Sequence, residues 1–257
     1  MKKIDLRFKK KPKISVIISF FNNCDTLEKS LKSILNQSYK NFELIIISDG
    51  SNDGSNKIAK KFLTKKNNVL YFESKKNIGL TKMLNIGIKF SRGEYIARHD
   101  ADDLSLSSRF KNQIDILKKK KNLDLIGSNA KYVYKNKIIP IKMPEKDRYI
   151  KKKLIFRNTI IHSTVMMRKK IFQNNLSYDE KFLRCQDYEL WLRIKKHTNY
   201  YNLQKYLVLR NIKKNNFNLN DLYFSSLARL KHGNFFLAVI FNLKDLMVYF
   251  KKKLITN

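Results

Sequence analysis

The chain has 257 residues, enough for one large domain or a domain with a small appendage, and 43% are hydrophobic, an ordinary share for a packed core. Lys and Arg number 55 against 21 Asp and Glu, a formal net charge of +34 that suits anionic partners such as nucleic acid, anionic lipid or phosphorylated small molecules, although A/T-rich codons for Lys, Asn and Ile explain part of it equally well. Cys24 and Cys185 form no C-x-x-C pair and four scattered histidines form no zinc pattern, which excludes a disulfide scaffold and a zinc module.

In chain order, the N-terminus has basic residues but no signal-peptide apolar core before Pro12, and no run reaches the roughly 18 apolar residues that span a bilayer. A cytoplasmic protein, soluble or peripheral at the inner face of the cytoplasmic membrane, is expected. Four apolar runs follow, ISVIISF (14–20), FELIIIS (42–48), VLYFE (69–73) and EYIARH (94–99), rich in β-branched and aromatic residues and bounded by Asn, Asp, Gly or Pro. They predict buried strands. Between them Leu27, Leu31, Ile34 and Leu35, then Ile58, Ala59, Phe62 and Leu63, then Leu80, Met83, Leu84 and Ile88 repeat at the spacing of one helix face. This alternation predicts an α/β fold with a mostly parallel central sheet, helices on both faces and right-handed crossovers.

Ligands of such sheets sit beyond the carboxyl ends of the strands. Two acidic loops fall there, SDGSNDGS (48–55) and DADD (100–103). An Asx-type turn that caps the next helix accounts for the first loop on its own. A cap needs one Asp, however, and the second loop has Asp100, Asp102 and Asp103. Two carboxylates one residue apart at a strand end can share a hard divalent cation, with water and substrate phosphates completing its shell.

After residue 104 the alternation weakens. A helix through Phe110, Ile114 and Leu117 is followed by a strand pair in LDLIGSNAKYVY and KIIPIKM, by a strand and turn in 160–172, and by a helix over 185–196 with Leu190, Trp191 and Ile194 on its apolar face. Asp187 lies in that helix's first turn. There a carboxylate gains about 0.3–1 kcal/mol from the helix dipole, and spacing alone does not separate that role from catalysis. In the tail, Leu222, Ser226, Leu227 and Leu230 form one stripe and Phe235 to Val248 a denser apolar segment before three lysines. Such a helix either packs on the domain or lies at an anionic membrane surface.

Five segments in this order, ISVIISFFN, SILNQSYKNFELIIISDGSNDGS, NIGL with LNIGI, GEYIARHDADD and QDYELWLR, resemble the bacterial family 2 glycosyltransferases, inverting nucleotide-sugar enzymes with the GT-A, Rossmann-like fold. The resemblance runs from residue 12 to residue 196. It implies that Ser19 to Asn22 hold the nucleotide base, with Phe21 offering a ring to uracil and Asp49 accepting a hydrogen bond from it. Asn77 falls in a segment near the nucleotide, without the Arg or Lys that some relatives place after it. Asp102 corresponds to the direct ligand of Mg2+ or Mn2+, and Asp100 to a contact with ribose or a metal-bound water. Asp187 matches the catalytic base, here written Gln-Asp where the family has Glu-Asp. His162 is assigned to the diphosphate or acceptor, or equally to a structural contact, and Asp103 to capping the turn that follows it.

The organisation implied is a basic extension (1–11), a catalytic domain (12–211) divided into donor (12–104) and acceptor (105–211) parts, and an amphipathic helical tail (212–257). The activity implied is metal-assisted hexosyl transfer with inversion (EC 2.4), from a UDP-hexose to a hydroxyl of a surface glycan of lipopolysaccharide, O-antigen or capsule type, free or lipid-linked. A nucleotidyltransferase would need a Gly-rich, Lys- or Arg-bearing loop after the first strand, and SFFNNCDT is not one. A processive polysaccharide synthase would carry Q-x-x-R-W and membrane spans. Intact Asp49, Asp100, Asp102 and Asp187 argue against a non-catalytic nucleotide-sugar binding module, and no zinc knuckle, RNP strand or helix-turn-helix supports a nucleic-acid partner.

Overall fold

A computed structural model describes residues 1–64, 67–135, 137–174, 176–211 and 219–233. In chain order these form β1 (Lys2–Leu6), β2 (Ile14–Phe20), α1 (Leu27–Leu35), β3 (Phe42–Ser48), α2 (Ser55–Lys61), β4 (Val69–Glu73), α3 (Leu80–Phe90) and β5 (Tyr95–Asp100). The second half contributes β6 (Leu104–Ser105), α4 (Arg109–Lys119), β7 (Leu125–Tyr134), β8 (Lys137–Ile141), α5 (Asp147–Leu154), β9 (Met166–Arg168), α6 (Gln186–Ile194), β10 (Tyr200–Asn211) and α7 (Leu219–His232).

All the strands join one sheet in the order β1-β4-β3-β2-β5-β9-β7-β10-β6, with β8 paired to β7. The four runs read from the sequence are its parallel heart, β4-β3-β2-β5. Chain direction across the sheet reverses at β2, because β3 and β4 are laid down on one side of it and β5 on the other. That reversal opens a crevice at the carboxyl ends of β2 and β5. Beyond β5 the sheet turns antiparallel at the three-residue β9, which pairs β5 on one side and β7 on the other.

Every residue of β2 and β3 is buried, because helices cover both faces. Successive side chains alternate between two cores. Val16, Ile18 and Phe20 meet Leu27, Leu31 and Ile34 of α1 and Phe110, Ile114 and Leu117 of α4. Ile17, Ile45 and Ile47 meet Met83, Leu84 and Ile88 of α3 and Leu190, Trp191 and Ile194 of α6.

Both ends of the described chain make contacts with the sheet and its helices. The basic N-terminal segment is not an appendage throughout, because Lys2–Leu6 pairs antiparallel with β4 and supplies the sheet's outer edge. Ile4 faces the core while Lys2 and Lys3 stay exposed, an alternation masked in the sequence by the surrounding lysines. The first part of the tail, α7, packs on α6: His232 Nε2 lies 2.7 Å from the buried Glu189 carboxylate, and Leu222 and Ala228 are buried. The apolar segment read from Phe235 to Val248 lies outside the described residues. Among the described residues, no helix is long and apolar enough to cross a membrane.

Candidate active site

The parallel register brings the two ends of the crevice together directly: Ser19, at the end of β2, is the backbone partner of Asp100, at the end of β5. Phe20 pairs with Ser48 on the other side, so Asp49 emerges next to them. Around this edge lies an open cavity of about 340 Å³ lined by Ser19, Phe21, Asn23, Asp49, Asn77, Arg98, Asp100 and Asp102, among others. Residues from four separate strand ends thus face one space. Phe21 is 45% exposed, which leaves its ring available to stack on a planar group.

Asp49 is buried and both its oxygens are used: Ile78 N–H donates at 2.7 Å and Gly79 N–H at 3.0 Å. It therefore holds the segment that carries Asn77 against the cavity. The chain needs Gly50 to make this turn. Its φ of +76° disfavours a side chain, and a Cβ there would stand 2.5 Å from the Lys76 carbonyl carbon. Asn22 goes elsewhere. With φ +52° its amide oxygen accepts from Asn52 N–H at 3.0 Å, tying the first acidic loop to the end of β2, while Asn23 takes the place on the cavity wall.

The DADD loop is held from several sides. Asp100 Oδ1 accepts from Arg98 Nη2 at 2.6 Å, and Arg210 Nη2, from β10, stands 3.8 Å from the other oxygen. Burial pushes the Asp100 carboxyl up, but the surrounding charges, Arg98 foremost with Arg210 behind it, together outweigh burial and hold it down at about 2. Asp103 does not cap the following turn. It is buried with Arg210 Nε 3.2 Å from its carboxylate, because β10 packs over the loop and brings a guanidinium into reach. Burial, together with the nearby Asp100 charge, raises the Asp103 carboxyl to about 7 against the pull of Arg210. Asn211 Nδ2 donates to the Asp102 carbonyl at 2.7 Å, so β10 also fixes the backbone of the residue whose side chain lines the cavity. Beneath the loop, the fully buried Arg109 donates to Ser105 Oγ at 2.8 Å and to the carbonyls of Arg98 and Val165 at 2.8 and 3.2 Å. His99 is neutral there, its pKa lowered to about 3 chiefly by burial.

Asp187 stands in the first turn of α6, and Asn158 Nδ2 donates to its Oδ2 at 2.8 Å. The turn into α6 is made by Cys185 at φ +55°. His162 lies against the edge of Trp191, and its Nε2 is 2.9 Å from the Tyr178 hydroxyl. Burial lowers the His162 pKa to about 4, with Asp187 and Asp100 opposing and Arg98 and Arg210 assisting. The imidazole is neutral at pH 7. Neither His162 nor Asp187 is among the residues that line the cavity around Ser19 and Asp100.

Sequence reading singled out the acids and missed the cations. Arg98, Arg210, Asn158 and Tyr178 went unremarked. Arg98 has a visible signal, since it is the charge that directly follows the apolar YIA of β5; Arg210 and Asn158 have none, because their partners are 107 and 29 residues away.

Comparison with known proteins identifies the family and the fold. The family model for Glycosyl transferase family 2 matches residues 15–176. EpsE of Bacillus subtilis, which carries the glycosyltransferase name, is 34% identical over 205 residues, 76% of this chain and 72% of its own. Matches to the first three relatives take in 64%, 72% and 60% of their lengths, so the chain spans about two thirds of the proteins it resembles. Among solved structures, S. aureus TarS 1–349 in complex with UDP-GlcNAc superposes with a TM-score of 0.70 at 18% identity, covering 86% of this chain and 67% of that 1–349 chain. The mannosyltransferase PcManGT of Pyrobaculum calidifontis, in complex with GDP-Man and Mn2+, gives 0.63 at 14% identity, covering 87% and 62%. The sheet with its carboxyl-edge crevice is the GT-A fold, and the match across most of that sheet means that the chain belongs to glycosyl transferase family 2.

Proposed function

We propose that this glycosyltransferase moves a hexose from a UDP-sugar to a hydroxyl of a surface-glycan acceptor, with inversion and the help of a divalent cation. The observation that carries the reading is the register pair Ser19 and Asp100 at the rim of a cavity that also takes in Phe21, Asp49, Asn77 and Asp102. TarS, of the same fold, is seen with UDP-GlcNAc, which supports a uridine donor.

In this reading the donor lies along 12–104, its base between Phe21 and Asp49 and its ribose near Asp100. The acceptor approaches over residues 105–211. Mg2+ or Mn2+ suits the donor set. Asp102 and Asp100 both line the cavity and would hold the ion there, since such ions are held by one or two carboxylates plus substrate phosphates. When bound, the ion supplies positive charge to the leaving diphosphate.

In this reading Asp187 takes the acceptor's proton. Asn158 binds one of its oxygens and orients the other. As the acceptor oxygen attacks the anomeric carbon, its proton passes to Asp187, the bond from that carbon to the β-phosphate oxygen breaks, and the nucleoside diphosphate leaves with the electron pair. Attack opposite the leaving group inverts the centre in one displacement, and a positioned carboxylate typically contributes 10²- to 10⁴-fold. In this reading the neutral His162, held at the Tyr178 hydroxyl, donates a hydrogen bond to diphosphate or acceptor.

The test is a screen of UDP-, GDP- and dTDP-sugars for hydrolysis, with calorimetric titration of UDP with and without Mn2+. Saturable UDP binding that strengthens with Mn2+ is expected. Binding to DNA with no response to UDP or metal would overturn the reading.

A further inference from the structure

Arg98 sits in an unfavourable place for an arginine. It is 3% exposed, and its side chain crosses the core beneath the crevice, where Ile17, Ile96, Met167 and Phe172 line a small internal void beside it. Among the described residues, only Nη2 reaches a side-chain acceptor, Asp100 Oδ1 at 2.6 Å. Nε and Nη1 are buried and find no partner among the described residues. Burying an ion without satisfying its donors is unfavourable, and apolar residues of similar volume often replace buried ion pairs with no loss of stability. By folding criteria alone, position 98 suits a methionine.

Removal of a buried cation usually strands its partner, but Asp100 would not be stranded. It keeps 23% of its side chain exposed at the cavity and has Arg210 at 3.8 Å. The guanidinium therefore does little for the fold that an apolar side chain would not do. What it does alone is hold one oxygen of Asp100 from below, at the base of the cavity that Asp100 shares with Asp102.

We propose that Arg98 is a positioning residue of the donor site: it fixes the Asp100 carboxylate, and with it the start of the DADD loop, in the donor-binding orientation, at the expense of stability. The inference rests on the donor reading above. Outer partners that orient metal or substrate ligands are worth about 10- to 100-fold in affinity or activity, and a loss of that size is expected here.

The experiment compares wild type, Arg98→Met, Arg98→Lys, Asp100→Asn and the Arg98→Met/Asp100→Asn double variant, measuring Tm and the Kd of UDP with Mn2+. Arg98→Met should keep a Tm at or above wild type while its Kd rises by about tenfold or more, and Arg98→Lys, which keeps the charge but not the fork, should lie between. In the Asp100→Asn background, Arg98→Met should add less than about twofold, because the two act as one unit. A Tm lowered by more than about 5 °C with an unchanged Kd would make Arg98 a structural residue and overturn the proposal. So would an equal loss of affinity with or without the Asp100 carboxylate, or an Arg98→Met protein that does not fold. If wild type itself binds no UDP with Mn2+, the donor reading falls and takes this inference with it, whereas wild-type binding retained in Arg98→Met overturns the inference alone.

Discussion

The first hundred residues and the rest of the chain build the crevice in different ways. From β2 to β5, each parallel strand delivers its loop to the same edge in chain order, so neighbours in the site are neighbours in the motif pattern: Ser19, Asp49 and Asp100 stand at the ends of β2, β3 and β5. After β5, the sheet changes direction at β9, and the groups at the site are held by residues far away, Asp187 by Asn158 and Asp103 by Arg210. The first half is built on a platform of parallel strands that are buried on both faces along nearly their whole length. The second is a set of latches laid over it, and its parts act through contacts that no local spacing announces.

If the first half binds the donor and the second performs the transfer, variants should divide accordingly. The largest effect is expected from Asp187→Asn: UDP affinity within about twofold of wild type by calorimetry, and transfer slowed 10²- to 10⁴-fold. Full transfer in that variant would break the division. Asp102→Ala should do the reverse, abolishing the Mn2+ enhancement of UDP binding and lowering affinity about 10- to 100-fold at saturating metal.

Gly50→Ala probes the platform itself. The strained φ and the close Lys76 carbonyl carbon predict a destabilisation of about 1–3 kcal/mol in denaturant unfolding, together with weaker UDP binding as the Asp49 contacts to Ile78 and Gly79 loosen. The smallest effect concerns the latches. His162 has a folded pKa of about 4, below its ordinary 6.5, so the unfolded chain protonates first as pH falls below 6.5. The stability this group contributes is complete above that pH and is lost down towards pH 4. His162→Gln should therefore lose less Tm than wild type between pH 7.5 and pH 5, and an identical loss in both would refute the assignment.

Particular elements explain how much was legible beforehand. The four parallel strands were readable because full burial on both faces leaves an unbroken apolar run, as in FELIIIS. The helix faces of α1, α3 and α6 were readable because their apolar residues recur at helical spacing and fill the two cores as expected. β1 was hidden, since an edge strand with one inward face needs only Ile4 and the lysines around it read as a charged arm. Asp103 was misread as a cap because the guanidinium that pairs with it comes from β10, more than a hundred residues later.

The sequence by itself determined the α/β alternation, the two acidic loops at strand ends, the order of the family's segments and the acids Asp49, Asp100, Asp102 and Asp187. These are properties of period and local composition, which the chain carries before it folds. Only the tertiary structure decided which cations face those acids, that Asp49 spends both oxygens on the 78–79 backbone, that Asn22 yields its place on the cavity wall to Asn23, and that Arg98 lies buried beneath Asp100. The physical reason is that a carboxylate's state is set by charge and burial within a few ångströms, and in this sheet those few ångströms are crossed by strands from opposite ends of the chain.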